Sequence, residues 1–181
     1  LSHETQEGYL AKVMPPIRTQ NDVKSVWEAI NQNQIDTIGT DHVANQLKLK
    51  IDGDSVWDAL AGFPGVGTLL PILLSEGVNK NKISLNQLVE LTSYNASKIF
   101  GMKSKGSIEI DYDADITLID LKKEQKANSE LFGGFSDYLV YEGWMLKGWP
   151  IRTIVRGETV AEDLQVVGKT GFGRLVSRTL S

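Results

Sequence analysis

The sequence predicts an α/β fold, with a βα-patterned N-terminal part and an all-β C-terminal part. Three observations carry this. A strand-like run, an amphipathic helix and a second strand-like run follow one another before residue 40, the order of a βαβ unit. Three further helical segments precede Gly101. Beyond Gly101 the pattern changes to short β-rich runs separated by Gly and Asp turns.

Each element has a local reason. Residues 11–14 read as a short strand, stopped by Pro15-Pro16. Asn21-Asp22 offers an N-cap, and Val23, Val26, Trp27 and Ile30 recur at helical spacing, so a helix is expected over 23–32. The apolar run 35–39 is the second strand. Strand, helix and strand in that order predict a parallel sheet with a right-handed crossover. A polar loop rich in Asp and Gly spans 42–65, and loops of that length in compact domains are usually functional or mobile. A helix is expected over 68–75, with Pro71 near its first turn. Ser84 caps another, with Leu85, Leu88, Val89 and Leu91 as its buried stripe. A last helical turn over 95–100 ends at Gly101, a natural C′ residue. Residues 108–110, 116–121, 151–156 and 159–161 read as strands, with a hairpin turn at Gly157-Glu158. The two parts divide near residues 101–106, giving segments 1–103 and 104–181.

The bulk numbers exclude several classes. A chain of 181 residues fits one domain, or one domain with an appendage. With 41% hydrophobic and 23% charged residues it is globular rather than disordered. A net charge of −4 and scattered lysines argue against nucleic acid. The most apolar run, 66–74, is short and interrupted by Gly67 and Pro71, which argues against a membrane span. The lack of cysteine removes disulfides and thiolate metal sites, and suits a reducing compartment such as the cytoplasm. No secretory signal is visible, and the chain opens at Leu1, which fits a processed product or a piece of a longer polypeptide.

The run IDTIGTDH at 35–42 holds the first chemical signal. In parallel α/β folds, functional residues sit just past the C-terminal ends of strands, where Asp41 and His42 fall. An aspartate there can hold a divalent metal and take a proton from water bound to it. The competing reading makes Asp41 a loop cap and His42 a polar loop residue. The chain has two histidines, His3 and His42, whereas a catalytic zinc site takes about three protein ligands. Asp36, Asp52, Asp54 and Asp58 lie at no recognisable ligand spacing. The chain can therefore contribute one ligand to a metal site, but is not expected to build one alone. The Gly-rich run 62–67 lacks both the Lys-Ser/Thr of a P-loop and the G-x-G-x-x-G spacing. It reads as a tight loop whose backbone approaches a neighbour closely. Trp144 and Trp149 read as core or interface residues.

In order along the chain, HETQEGYL (3–10), MPPIR (14–18), IDTIGTDH (35–42), AGFPGVGTLLPILL (61–74), LTSYNASKIFG (91–101), DYDADITLIDL (111–121) and SDYLVYEG (136–143) resemble segments of the cyclic amidohydrolases. That family comprises hydantoinases, dihydropyrimidinases, dihydroorotases and allantoinases. VRGETVAED and GKTGFGR extend the resemblance towards the end of the chain. The resemblance implies the C-terminal part of a (β/α)₈ barrel over 1–103, followed by part of a small β-sandwich over 104–181. It also implies a binuclear metal centre, with two zinc ions in the parent protein. The family's histidine ligands and carboxylated lysine match nothing here, and His3 matches none of them, so the site is incomplete in this chain.

By the same resemblance Asp41 is a metal ligand and the general base towards the attacking hydroxide, and His42 supports it from behind. Main-chain groups near Met14 and Pro15, and near Ala61 and Gly62, are implied to hold the substrate ring. Hydantoinases often carry Ser and Asn at the sites of Met14 and Ala61, a departure that backbone contacts tolerate. The implied substrate is a small cyclic amide, and the implied reaction is hydrolysis of its C–N bond. The chain alone is expected to be inactive. A homo-oligomer, or association with the missing N-terminal part, is the expected assembly. Dihydroorotases read DHAPH where this chain reads DHVAN, which puts Asn45 in place of a substrate-binding histidine. With the tail SDYLVYEGWMLKGWP, this favours the hydantoinase and dihydropyrimidinase branch over dihydroorotase or allantoinase. A non-catalytic interaction module with the same fold is the alternative from another class.

Overall fold

The computed structural model describes residues 6–53 and 55–179; His3 and Asp54 lie outside them. The chain divides into two compact units built from interleaved segments. Leu1–Trp27, Thr40–Leu69 and Gln125–Leu146 form the first, and Glu28–Gly39, Leu70–Glu124 and Lys147–Ser181 the second.

Helix α1 (Gln6–Leu10) opens the described chain, and α2 (Gln20–Asn31) lies where the apolar periodicity put it. The cap of α2 is Thr19, earlier than Asn21-Asp22. Thr19 N and Oγ1 donate to Asp22 Oδ2 at 2.9 and 2.6 Å, and Asp22 N donates back to Thr19 Oγ1 at 3.4 Å. Along its apolar face Ile30 is buried, whereas Val23 and Val26 are exposed.

Within the first unit, the stretch expected as an open loop contains α3 (Leu47–Lys50). Its first amide, Leu47 N, is satisfied by Asp137 Oδ1 at 2.7 Å. Ala59, Ala127, Tyr138, Leu139 and Leu146 are buried in this unit, together with the side chain of Lys50. Gly67 is tightly packed: a Cβ there would run into the Phe132 ring.

In the second unit, α4 (Leu69–Ile72) runs on in π geometry through Leu73–Val78. Pro71 sits in its first turn, where a missing N–H costs no helical bond. Helix α5 (Leu85–Val89) begins with a capping box. Gln87 N donates to Ser84 Oγ at 3.1 Å, and Ser84 N donates to Gln87 Oε1 at 3.0 Å. The helix continues in π geometry over Glu90–Tyr94 into α6 (Asn95–Ile99) and ends at Gly101 with φ 64°. Leu73, Leu74, Ile83, Leu88, Leu91 and Trp149 form the core. Leu85 and Val89, expected in the buried stripe, are exposed.

The sheet contains β1 (Ile116–Lys126), β2 (Met145–Val155), β3 (Glu158–Glu162) and β4 (Gln165–Val166), in that spatial order. The β2–β3 and β3–β4 pairs are antiparallel. Arg156 and Gly157, at φ 47° and 82°, form the two-residue turn between β2 and β3, one residue earlier than expected. Positive φ at both positions is the I′ geometry that matches strand twist. The acidic run at 111–115 buttresses this turn: Asp115 Oδ1 accepts from Arg156 N at 2.8 Å, and Lys105 pairs with both Asp113 and Asp115.

Three expected strands are not formed. Residues 11–14, 35–39 and 108–110 carry no ladder, and the expected parallel sheet is absent among the described residues. Strand geometry needs a neighbouring strand to form a ladder, and among the described residues these runs have none. The 35–39 run is tied instead to the helical segment after α5. Ile38 N donates to Leu91 O at 3.0 Å, and Asn95 Nδ2 donates to Asp36 O at 2.9 Å. Ile108 and Ile110 are both exposed.

Ser84→Ala removes the cap and should lower stability by about 1 kcal/mol in a denaturant titration. An unchanged midpoint would show that the Ser84–Gln87 exchange contributes nothing.

Candidate functional site

Two lysines organise the loops of the first unit. Lys50 ends the one-turn helix α3, and its side chain is 0% exposed. Its ammonium donates to Lys12 O at 2.6 Å, Leu60 O at 2.7 Å and Gly62 O at 2.6 Å. A lysine ammonium has three donors and no acceptor, so these three carbonyls use its whole capacity. Lys12 answers from the other arm, donating from Nζ to Trp57 O at 2.9 Å and Ala59 O at 2.5 Å. Gly62 N closes the assembly by donating to Lys12 O at 3.0 Å. Burial first, and the Lys12 charge second, pull Lys50 from 10.5 down to about 8. It therefore remains charged at pH 7.

Gly62 is required by the path of this loop. Its φ is 92°, and a Cβ there would run into the Val43 side chain. The same loop holds the segment after Asp41. Val43 N donates to Phe63 O at 3.2 Å. Gly65 N and Val66 N both point at His42 Nδ1, at 3.0 and 3.3 Å. A nitrogen that accepts two amide protons is unprotonated, which puts the ring proton on Nε2. His42 thus anchors its segment to the Gly-rich run, and it makes no hydrogen bond to Asp41.

Asp41 has φ 45°, a left-handed conformation that Asp tolerates better than most residues. Its side chain is exposed, and its carboxylate has no hydrogen-bond or ion-pair partner among the described residues. Non-glycine residues in this region cost up to a few kcal/mol and persist where the surroundings fix them. Here the bonds at Val43 and His42 do so.

Of the residues singled out in sequence, the structure ties Gly62 to the arm before Met14, through Lys12 O, and ties His42 to Gly65. Met14 is 74% exposed and joined to Pro15 by a cis peptide bond, and Ala61 is exposed. Lys12 and Lys50 were not singled out. Their signal is faint, because Lys48 and Lys50 look alike in Leu47-Lys-Leu-Lys50, and Lys48 is exposed while Lys50 is buried.

No group of three or more His, Cys, Asp or Glu side chains comes together to hold a metal among the described residues. Asp41 offers one carboxylate where a zinc site takes about three protein ligands. These residues do not form a metal centre by themselves.

The profile of the Amidohydrolase family matches residues 17–160, and the chain belongs to that family. Among curated relatives, it is 36% identical over 173 residues to the L-hydantoinase of Paenarthrobacter aurescens, covering 94% of this chain and 38% of that protein. It is 37% identical over 169 residues to the dihydroorotase of Pyrococcus furiosus, covering 93% and 38%. The solved L-hydantoinase (dihydropyrimidinase) from Arthrobacter aurescens superposes with a TM-score of 0.92 at 36% identity, covering 96% of this chain and 39% of that one. The chain thus spans just under two fifths of the length of these relatives.

Two outcomes are expected from this geometry. Gly62→Ala should destabilise the chain by about 1–3 kcal/mol in chemical denaturation, from the positive φ and the Val43 collision together. The Lys50 side chain should titrate near pH 8 by NMR. Its folded pKa lies below the ordinary 10.5, so between about 8 and 10.5 the unfolded chain binds the extra proton and stability from this group rises with pH. A midpoint near 10.5 would show that the carbonyl cage outweighs the burial.

Proposed function

We propose that the whole protein is a hydrolase that opens a small cyclic amide, of the hydantoin or dihydropyrimidine type, by breaking a ring C–N bond. The carrying observation is Asp41. Its carboxylate is exposed and has no partner among the described residues, and it is held in a left-handed turn fixed by its neighbours. Hydantoinases and a dihydroorotase among the relatives support the substrate class.

In this reading residues 1–103 are the last strands and helices of a barrel, and 104–181 are the C-terminal share of a β-sandwich. The unpaired runs at 11–14 and 35–39 are then strands whose ladder neighbours belong to the rest of the whole protein. Asp41 takes a proton from the attacking water and delivers it to the ring nitrogen as the C–N bond breaks. Main-chain groups of Met14 and Pro15, and of Ala61 and Gly62, hold the ring. The two zinc ions implied by family resemblance would need most of their ligands from elsewhere in the whole protein, with Asp41 as one. We place the protein in the cytoplasm, as an oligomer or in association with the remaining part of its fold.

Within the family, Asn45 separates the branches. It is 4% exposed, and its Oδ1 accepts the Tyr138 hydroxyl. Its Nδ2 has no hydrogen-bond partner among the described residues, so burial rather than bonding is what keeps this side chain from a substrate carboxylate. This favours the hydantoinase and dihydropyrimidinase branch over dihydroorotase or allantoinase.

In the whole protein, Asp41→Asn should lower kcat by about 10²–10⁴ with hydantoin or dihydropyrimidine as substrate. Turnover at the wild-type rate in that variant would sink the role of Asp41. Absence of hydrolysis of every cyclic amide by the wild type would favour the non-catalytic module.

A further inference from the structure

We propose that Lys50 is a positioning residue for substrate: together with Lys12 it fixes the main chain of Ala61 and Gly62 against the arm leading into Met14. The inference rests on the reading that these two stretches of backbone hold the ring. The observation is the pattern of acceptors. All three Lys50 donors go to main-chain oxygens, one on the 12–14 arm and two on the 60–62 loop.

A buried ammonium is ordinarily matched by a carboxylate. Lys50 has carbonyls instead, at 2.6–2.7 Å, drawn from two separate stretches of chain. A carboxylate would stabilise the charge but would fix one side chain. Three carbonyls triangulate the backbone itself. Lys12 repeats the device one step outward, on Trp57 O and Ala59 O, and the Gly62 N–H bond to Lys12 O sets the separation of the two arms directly. The arms meet at Lys12 and Gly62, two residues before Met14 and one after Ala61. Donors and acceptors on a substrate ring have fixed spacing, so displacing one binding edge weakens the hold on the ring in ground state and transition state alike.

A merely structural lysine and a positioning lysine differ in what they change. Loss of a group that binds ground state and transition state alike raises KM and leaves kcat unchanged. The test uses the whole protein as wild type, Lys50→Met and Lys12→Met. It measures kcat and KM on the cyclic amide that the wild type hydrolyses, and amide hydrogen exchange over 57–62. Lys50→Met should raise KM about tenfold or more with kcat within about threefold, and Lys12→Met should raise it about threefold. Exchange over 57–62 should quicken in both. An unchanged KM in folded Lys50→Met overturns the proposal, as does a fall in kcat with KM unmoved. If Lys50→Met does not fold, Lys12→Met decides by the same criterion. If the wild type hydrolyses no cyclic amide, the functional reading fails by itself; exchange then decides whether the lysines fix the loop, and unchanged protection over 57–62 overturns that too.

Discussion

An ammonium taken fully out of water loses several kcal/mol of hydration that the protein has to restore. At Lys50 the restoration comes from three main-chain carbonyls and no carboxylate. Hydrogen bonds from a charged donor contribute about 1.5–3 kcal/mol each, enough in sum to hold the charge inside. This has a geometric corollary. The acceptors stay in place only if residues 12, 60 and 62 keep their positions around one nitrogen. Loop shape and charge burial are therefore a single constraint in the first unit.

That constraint passes along the chain towards Asp41. With Gly62 held by Lys50 and by Lys12 O, its bare Cα sits against Val43. The next residues of the same loop supply Phe63 O to Val43 N, and the Gly65 and Val66 amides to His42. The segment carrying Asp41 is fastened on its C-terminal side by backbone bonds and one imidazole. Asp41 can then occupy a left-handed conformation with its carboxylate unencumbered. A carboxylate tied down by its own neighbours would be a poor base or ligand, since its lone pairs would already be in use. Asp41 is exposed and without a partner among the described residues, so its lone pairs remain available.

Much of this was legible in sequence where the signal is local. The α2 helix, the Ser84 cap, Gly101 as terminator and a hairpin turn at Gly157, found one residue earlier than expected, each depend on residues within a few positions of one another. The runs at 11–14 and 35–39 failed as strands because strand formation depends on a neighbour, which alternation cannot supply. Asp41 stood out through its place in IDTIGTDH and family resemblance, and its left-handed backbone was not legible there. Lys50 was not, because burial of a lysine depends on loops that return to it from residues 12 and 60–62. The supporting role of His42 came from the same resemblance; the bonds that its ring makes, to amides more than twenty residues away, were not legible in sequence.

The choice of carbonyls as acceptors has a consequence for how such a site can vary. Every residue has a main-chain oxygen, so side chains at 60 and 61 can change without removing an acceptor from the cage. Lys50 itself has no such latitude, and Gly62 is held to glycine by its φ and by Val43. The frame is written in Lys12, Lys50 and Gly62, while the side chains between them on the loop are left free to vary. Side chains on a loop built this way can be exchanged around a backbone that stays where it is.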